Sequence, residues 1–348
     1  MEFATLVRIA LITVQPIYRQ PFVTTPQTSE PMINTLLLLG AMTLANDAAR
    51  PTIVVVLGAS GTPEYGEQFK TWTGRWTEIA AKSKAELVIV GQDSSPSLSD
   101  RDQLQQTLAK HVSLAGEPLW LILIGHGTFD GQEARFNTRG PDFTALQLGK
   151  WLQASQRPLV VINCTSASGP FLARLSGANR VIVTATRSGF EQNFARFGDY
   201  FSRALLDPKS DLDKNGQISV LEAYLAAAAG VREFYAEDAR LETEHPLLDD
   251  NGDSRGTPPD WYQGVRAVKQ PKAGTTADGT VANQRHLIRS LAEASLSTEE
   301  RTQRNQWLAA IEAIRLKKSQ LQEDAYYAEL EQYLLKLAQL YASKSAPE

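Results

Sequence analysis

Short apolar runs, each followed by a segment with helical spacing, dominate the chain from Pro51 onward. The runs cover residues 52–57, 85–90, 118–124, 158–162 and 180–184. Continuous apolar runs of this length, rich in Val, Ile and Leu, are typical of strands that are covered on both faces. Helical segments between such strands indicate crossover connections, so the pattern predicts an α/β fold. We expect a doubly wound, mostly parallel sheet flanked by helices.

The chain divides further where its composition changes. Residues 1–50 precede the first strand as an N-terminal extension, and residues 51–269 hold the strands together with an acidic, turn-rich part. Residues 270–283 (QPKAGTTADGTVAN) have the composition of a linker. Residues 284–348 carry apolar side chains at heptad-like spacing in two stretches, which predicts a C-terminal antiparallel α-helical hairpin. The hairpin either packs on the α/β domain or binds a partner, and the sequence leaves both open.

An apolar run near the N-terminus resembles part of a signal peptide. Residues 36–44 are mostly Leu, Ala and Met, and the small residues Ala45, Ala48 and Ala49 follow them. The run is too short to span a bilayer, which needs about 20 apolar residues, but it fits the apolar core of a secretion signal. No Lys or Arg lies between Met32 and this run. We expect export to the periplasm or the medium, with a cytoplasmic location as the alternative, and no integral membrane span in the mature chain.

Charge and cysteine content exclude several classes of partner and site. The chain has 35 Lys and Arg against 39 Asp and Glu, a net charge of −4, so a nucleic-acid partner is not expected. The one cysteine, Cys164, excludes an intrachain disulfide framework and cysteine-rich zinc sites. The loop after the first strand begins Gly58-Ala59-Ser60-Gly61 but has neither G-x-G-x-x-G nor a phosphate-loop lysine. Nucleotide binding there is therefore a weak alternative, and no organic cofactor is expected.

A histidine and the cysteine follow two of the predicted strands. Strand 118–124 runs into Gly125-His126-Gly127, and strand 158–162 runs into Asn163-Cys164. In an open α/β sheet the carboxyl ends of the strands line the functional crevice. If the two strands are neighbours, His126 can activate the Cys164 thiol, which needs a base to become a thiolate. The amides of Gly127 and Cys164 then make a pair of oxyanion donors. A buried Cys or a strand-end His taken singly is more often structural.

These segments resemble those of clan CD cysteine peptidases, the group of caspases, legumains and metacaspases, and above all its bacterial legumain-like or caspase-like members. The resemblance is carried by LILIGHG at 121–127 and LVVINCTSASG at 159–169, and it extends to VTATRSGFEQNFARFGDYF at 183–201. It covers roughly residues 51–265. It implies a caspase-like fold, a catalytic dyad of His126 and Cys164 with Gly127 and Cys164 amides as oxyanion donors, and a protein or peptide substrate.

The chain departs from this family around the expected substrate pocket. Caspases and legumains hold an acidic or amide P1 side chain partly through an arginine in the loop after the first strand, whereas loop 58–69 here has no Arg or Lys. Acids that face a pocket favour a cationic side chain, so we predict cleavage after Arg or Lys. Arg187 is the residue that would instead favour an acidic P1. The acids assigned to substrate binding are Glu64, Glu67, Glu191 and Asp199.

A twelve-residue acidic segment matches a calcium-binding loop. Residues 211–222 fit D-x-D-x-N-G-x-I-x-x-x-E, with Gly216 at the sharp turn. Calcium takes about six to eight hard oxygen ligands, and such a loop provides them from fixed positions. Pro208 interrupts the helix that would enter the loop, and the alternative is an acidic turn that caps the next helix. The predicted ligands are Asp211, Asp213, Asn215, the carbonyl of Gln217, Ser219 and Glu222.

The sequence therefore supports two functions of different classes. The first is a cysteine endopeptidase with a His126–Cys164 dyad and a preference for a basic P1 residue. The alternative is a catalytically silent caspase-like fold that acts as a calcium-dependent protein-interaction module. The presence of both His126 and Cys164 favours the first, because a degenerate relative usually lacks one of the two.

Overall fold

The computed structural model describes residues 50–92, 97–271, 276–342 and 344. Its strands are β1 (Thr52–Leu57), β2 (Glu86–Val90), β3 (Leu119–Ile124), β4 (Gly127–Phe129), β5 (Ala134–Phe136), β6 (Phe143–Thr144), β7 (Leu159–Asn163), β8 (Arg180–Thr184), β9 (Leu247–Asp249), β10 (Tyr262–Gln263) and β11 (Arg266–Ala267). Its α-helices are α1 (Pro63–Ser83), α2 (Asp100–Val112), α3 (Ala145–Leu152), α4 (Gly169–Leu175), α5 (Phe197–Ala204), α6 (Val220–Glu237), α7 (Leu291–Ala294), α8 (Thr298–Leu316) and α9 (Glu323–Ala342). Short 3₁₀ turns cover Pro208–Ser210, Pro259–Trp261, Ala282–Gln284 and Lys318–Gln320.

The central sheet has the strand order β2-β1-β3-β7-β8-β9. All its pairs are parallel except β8 with β9, which is antiparallel. Every side chain of β3 and of β7 is buried, as the uninterrupted apolar runs predict for central parallel strands. The predicted α/β class with a mostly parallel sheet is confirmed. The apolar runs do not predict the edge strand β9 or the small antiparallel sheet β4-β5-β6.

Two apolar cores cover the two faces of the sheet, because alternate side chains of each strand point in opposite directions. On one face Ile53 and Ile122 pack with Trp72 and Trp76 of α1 and with Phe201 of α5. The other face is built from further strand residues together with side chains of α2, α3 and α4. The Cys164 side chain belongs to the first core. Helices on both faces make the sheet doubly wound, as predicted.

Local signals in the sequence explain where the helices begin. Thr62 accepts a hydrogen bond from the Tyr65 amide at 3.4 Å and Pro63 is the first residue of α1, so both residues mark the start of this helix. Ser219 and Glu222 form a reciprocal capping box at the start of α6. Ser297 and Glu300 form another at the start of α8. Each box satisfies backbone donors that the first helical turn leaves without a partner.

The described chain divides into two compact units, and the boundary falls at Ser295. The two hairpin helices, α8 and α9, lie after this boundary, and residues 276–294 belong to the larger unit. Asp278 is buried and accepts hydrogen bonds from the amides of Asp250 and Asn251 at 2.9 and 3.1 Å, and the carbonyl of Arg285 accepts one from Val220. These bonds tie the segment to the sheet-bearing unit, which composition alone does not reveal. Residues 272–275 of the predicted linker lie outside the described residues.

The smaller unit contains the predicted helical hairpin, formed by α8 and α9. Lys344 Nζ lies 2.9 Å from a carboxylate oxygen of Glu300, which places the end of α9 beside the start of α8 and makes the pair antiparallel. The signal-like run at 36–44 lies outside the described residues, so export stays a prediction. Among the helices that the structure describes, none has the length and apolarity needed to cross a bilayer.

Candidate functional site

The ends of β3 and β7 lie side by side, as the site prediction requires. Leu123 of β3 is paired with Asn163 of β7, and the Cys164 amide donates a hydrogen bond to the Leu123 carbonyl at 2.9 Å. His126 and Cys164 therefore leave neighbouring strands at the same edge of the sheet. In a parallel sheet this edge is where catalytic and binding residues collect.

The loops after these two strands are joined through Ser166 and Gly127. The Gly127 amide donates to Ser166 Oγ at 3.3 Å, and Ser166 Oγ donates to the Gly127 carbonyl at 3.1 Å. A Cβ atom at position 127 would lie 2.2 Å from the Ser166 carbonyl oxygen, so only glycine fits this close approach. The predicted oxyanion donors are thus engaged in this conformation: the Gly127 amide with Ser166 and the Cys164 amide with Leu123.

The Cys164 thiol is directed into the apolar core rather than into solvent. The residue is 1% exposed, and a Cβ atom at Gly198 would come within 2.9 Å of Sγ and 3.0 Å of the Trp72 ring. The first turn of α5 therefore presses on the cysteine side chain. Burial raises the pKa of the Cys164 thiol well above its usual range, and the nearby Glu244 carboxyl raises it further. In this conformation burial disfavours the thiolate, which is the nucleophilic form of cysteine.

His126 lies under a group of aromatic rings. Its Nε2 is 3.1 Å from the Ser60 carbonyl oxygen, which only accepts, so Nε2 carries the proton and Nδ1 is the basic nitrogen. The imidazole ring lies 5.0 Å from the Tyr65 ring, 5.5 Å from Phe69 and 5.8 Å from Phe194. Phe194 also stacks on Tyr65 at 4.4 Å and lies 6.0 Å from Trp72. We call Tyr65, Phe69, Trp72 and Phe194 the aromatic cover.

Glu191 is the one predicted pocket acid that is bonded to the cysteine loop. Its carbonyl accepts a hydrogen bond from the Ala167 amide at 2.8 Å. Its carboxylate, however, is occupied: Oε1 lies 3.1 Å from Arg187 Nε and 2.7 Å from His245 Nδ1. Arg187 would favour an acidic P1 residue, and Glu191 would favour a basic P1 residue. The two side chains form an ion pair and neutralise each other.

The other three predicted pocket acids lie elsewhere. Asp199 forms ion pairs with Arg75 at 2.8 Å and with Arg203 at 2.6 Å, and its side chain is largely covered. Glu64 and Glu67 are exposed on α1, where Glu67 lies 3.8 Å from the ammonium of Lys70. The structure does not bring the four acids together into one pocket. The two acids that are covered already have partners: Glu191 is paired with Arg187 and His245, and Asp199 with Arg75 and Arg203.

Glu244 is a buried acid that the sequence analysis missed. It is 1% exposed, and its Oε2 accepts hydrogen bonds from the amides of Arg196 and Phe197 at 2.8 and 3.0 Å. It thereby caps the start of α5, where Arg196 provides no side-chain cap of its own. Burial raises the pKa of Glu244 to about 7. No local motif marks this residue, because its partners lie almost fifty positions away in the chain.

The predicted calcium loop brings three carboxylates together. Oxygen atoms of Asp211, Asp213 and Glu222 lie within 4.8 Å of one another. Asp211 accepts hydrogen bonds from the amides of Asn215 and Gly216, and Asn215 accepts one from Gln217, so the side chains at the first and fifth positions hold the loop closed. Partial desolvation of its carboxylate within the loop and the neighbouring carboxylates of Glu222 and Asp211 raise the pKa of Asp213 to about 6, although the residue as a whole is exposed. Clustered hard oxygens of this kind fit a calcium ion.

Two other predicted ligands have structural partners. Ser219 and Glu222 form the capping box of α6, and Glu222 Oε1 also accepts from the Leu212 amide at 2.7 Å. The Gln217 side chain accepts from the Ser290 amide at 3.2 Å, which leaves its carbonyl as the predicted ligand. The acidic-turn alternative and the calcium alternative thus share the same residues, since Glu222 caps the helix in either case.

No protein-family model and no curated protein sequence matches this chain. Among solved structures, caspase-1 from Spodoptera frugiperda is 9% identical with a TM-score of 0.38, over 58% of this chain and 87% of that one. The Drosophila initiator caspase Dronc is 11% identical with a TM-score of 0.39, over 70% and 95%. Raptor from Chaetomium thermophilum is 11% identical with a TM-score of 0.31, over 47% and 18%. At identities and TM-scores this low, the similarities do not bear on the chemistry of the site.

Proposed function

We propose that this protein is a cysteine endopeptidase in which Cys164 is the nucleophile and His126 the general base. The observation that carries the proposal is the pairing of β3 with β7, which places a histidine and the chain's one cysteine at adjacent strand ends. The motif resemblance to clan CD peptidases at residues 121–127 and 159–169 supports the same assignment. The substrate class is a protein or peptide.

The chemistry assigned to the pair follows from the two side chains. His126 Nδ1 takes the thiol proton, and the thiolate attacks the scissile carbonyl carbon. The tetrahedral oxyanion takes hydrogen bonds from backbone amides, of which Gly127 is the first candidate. Collapse to the thioester releases the amine, which receives the proton from His126. Water activated by the same imidazole then hydrolyses the thioester and restores the thiol.

The described conformation is a resting form in this proposal, and three changes activate it. Cys164 must leave its contact with Gly198, the aromatic cover must move off His126, and the Gly127 amide must exchange Ser166 for the oxyanion. The last change is the easiest, because the bond is 3.3 Å long and a rotation of one serine side chain about its Cα–Cβ bond moves Oγ away from the amide. Release of Cys164 is the costly step, since it exposes packed apolar surface.

A basic P1 residue remains the proposed specificity, with Glu191 as the acid that carries it. The carbonyl of Glu191 is bonded to the loop that follows Cys164, so its side chain is the predicted acid tied to the nucleophile. An incoming guanidinium would replace Arg187, whose side chain is 61% exposed and free to swing away. In this proposal Arg187 holds the place on the Glu191 carboxylate that the P1 arginine of a substrate would take.

A catalytically silent, calcium-dependent interaction module is the second candidate function. It is favoured by the burial of the Cys164 thiol and by the convergence of Asp211, Asp213 and Glu222. In that role the sheet would be a scaffold, and calcium would order the loop that precedes α6. Calcium binding is equally compatible with a peptidase, so hydrolysis alone separates the two functions.

The test compares wild type with Cys164→Ala, His126→Ala and a matched histidine variant, His111→Gln in the last turn of α2, on a mixture of fluorogenic peptides with and without calcium. We expect cleavage by wild type, none by the first two variants, and retained cleavage by the third. Alkylation of Cys164 by a peptidyl chloromethyl ketone, located by mass spectrometry, identifies the nucleophile. Absence of turnover and of alkylation under all conditions would favour the silent module.

A further inference from the structure

A cavity of about 630 Å³ lies at the opposite end of the strands from Cys164. It opens beside Leu159 and Arg180, the first residues of β7 and β8, and below the last turns of α3 and α4. Cys164 follows the last residue of β7, so the length of that strand separates the cavity from the proposed dyad. The size is within the range of small-molecule sites.

The charged residues that line this cavity are all cations. They are Lys150, Arg157, Arg174 and Arg180, and no Asp or Glu is among its described lining residues. The chain as a whole carries a net charge of −4, so a cavity with four positive charges and no negative one departs from the average of the molecule. Like charges gathered around one cavity repel each other, and they create a positive potential there.

Arg180 is half-buried at the base of the cavity and is held there by two hydrogen bonds. Its Nη1 donates to the Leu175 carbonyl and its Nη2 to the Leu152 carbonyl, both at 2.9 Å, which are the last residues of α4 and α3. The helix ends offset part of its charge. Within the described part of the chain, the other three N–H groups of Arg180 make no hydrogen bond. No described carboxylate lies within ion-pair distance of its guanidinium. Burial lowers the pKa of Arg180, as expected for a cation without an acidic partner.

Arg157 is held in a similar way, while the remaining two cations are free. The Arg157 guanidinium is buried and donates to Thr52 Oγ1 and to the carbonyls of Pro118, Glu117 and Arg50, so most of its N–H groups are already used. Lys150 and Arg174 are exposed, and the described residues offer their charged groups neither a hydrogen bond nor an ion pair. The cavity thus combines two guanidiniums held in place by the protein with two exposed cations at its rim, and Arg180 keeps more N–H groups for a ligand than Arg157 does.

We propose that this cavity binds a small molecule that carries phosphate groups. Phosphate oxygens match the planar fork of a guanidinium and take several hydrogen bonds at once, and a multiply charged anion suits several cations better than a single carboxylate does. Leu146 and Leu159 add apolar wall, which leaves room for an organic body beside the phosphates. The site is independent of the proposed peptidase chemistry.

The test is isothermal titration calorimetry of the full chain with inorganic pyrophosphate and with adenosine diphosphate at one fixed salt concentration. Lys150→Gln with Arg174→Gln removes the two rim cations, and both residues are exposed, so the fold should persist. Lys209→Gln with Arg232→Gln removes two exposed cations away from the cavity and is the matched control. Ala173→Glu, also exposed, adds a negative charge to the lining.

We expect saturable binding by wild type, a loss of affinity of about tenfold or more in the rim variant and in Ala173→Glu, and less than about twofold change in the control. Tighter binding of the nucleotide than of pyrophosphate identifies an organic phosphate as the ligand, and the reverse identifies an inorganic one. No binding by wild type, or equal losses in rim and control variants, overturns the proposal. Cys164→Ala should bind as wild type does, so this result is separate from the outcome of the peptidase test.

Discussion

Ser166 Oγ bonds to both backbone groups of Gly127, accepting from its amide at 3.3 Å and donating to its carbonyl at 3.1 Å. One hydroxyl thus joins the loop after the histidine strand to the loop after the cysteine strand. The same contact occupies the amide that an oxyanion would need. The junction both aligns the proposed dyad and keeps it at rest.

Gly127→Ala should break this junction. The added Cβ would lie 2.2 Å from the Ser166 carbonyl oxygen and 2.9 Å from Thr165 Oγ1, so the two loops must separate. We expect a loss of about 1–3 kcal/mol in the free energy of unfolding, together with loss of any hydrolysis. Urea denaturation measures the first and a peptide assay the second.

Gly74→Ala is the control for that substitution. A Cβ at Gly74, inside α1, meets nothing within 4 Å, so we expect a gain of about 0.5–1 kcal/mol from reduced chain entropy. Equal effects of the two substitutions would mean that the close approach at Gly127 is not a constraint.

Phe194→Ala should open the aromatic cover. Loss of the stacking of Phe194 on Tyr65 removes about 1 kcal/mol or more from the closed form, which raises the open population about fivefold. The rate of Cys164 alkylation by iodoacetamide at pH 8, followed by mass spectrometry, should rise by a similar factor. Phe190→Ala is the control, because Phe190 is on the same segment but 77% exposed, and its rate should match wild type. An unchanged rate for Phe194→Ala would show that the cover does not limit access to the thiol.

Glu244→Gln should change how stability depends on pH. Burial raises the pKa of Glu244 from 4.5 to about 7, so the folded state holds this proton over a range where the unfolded state has released it. Stability from this group is therefore complete below about pH 4.5 and is lost as the pH rises through about 7. Between pH 5 and 8, wild type should lose about 2–3 kcal/mol relative to Glu244→Gln, because glutamine keeps an acceptor and carries no charge. Urea denaturation at both pH values measures the difference, and parallel curves for the two proteins would contradict the burial argument.

Calcium should raise the melting temperature through the 211–222 loop. A calcium concentration about a hundredfold above the dissociation constant adds roughly 2.7 kcal/mol of stability. Asp211→Asn with Asp213→Asn should remove the rise while leaving the Glu222 cap of α6 in place. Asp238→Asn, an exposed acid on another segment, should keep it. If a calorimetric titration of wild type with calcium shows no heat of binding, the loop is a purely structural turn.

A fluorogenic panel that varies P1 tests the proposed specificity. We expect cleavage after Arg and Lys, with a large loss in Glu191→Gln and a gain in Arg187→Gln, because the second substitution frees the Glu191 carboxylate. Glu64→Gln, Glu67→Gln and Asp199→Asn should have little effect, since these acids are exposed or already paired. Preferential cleavage after Asp or Asn, lost in Arg187→Gln, would reverse the assignment.

The sequence by itself determined the sheet and the place of the candidate site within it. Residues 119–124 and 159–162 are so uniformly apolar that they form strands only where both faces are covered, and His126 and Cys164 each come two residues after these runs. Local helix caps such as Ser219 with Glu222 can also be predicted from the sequence, because both partners lie within one helical turn.

Only the tertiary structure decided the state of that site. Glu191 is bonded to His245, Asp199 is paired with Arg75, and the thiol is covered by Gly198 of α5, in each case through a partner more than thirty positions away. A charge or a thiol has its chemistry set by burial and by the nearest opposite charge, and neither is a property of the local sequence. The composition of the substrate loops therefore predicted one acidic pocket. The packing of α1, α5 and the 187–196 segment instead gives the predicted acids different environments.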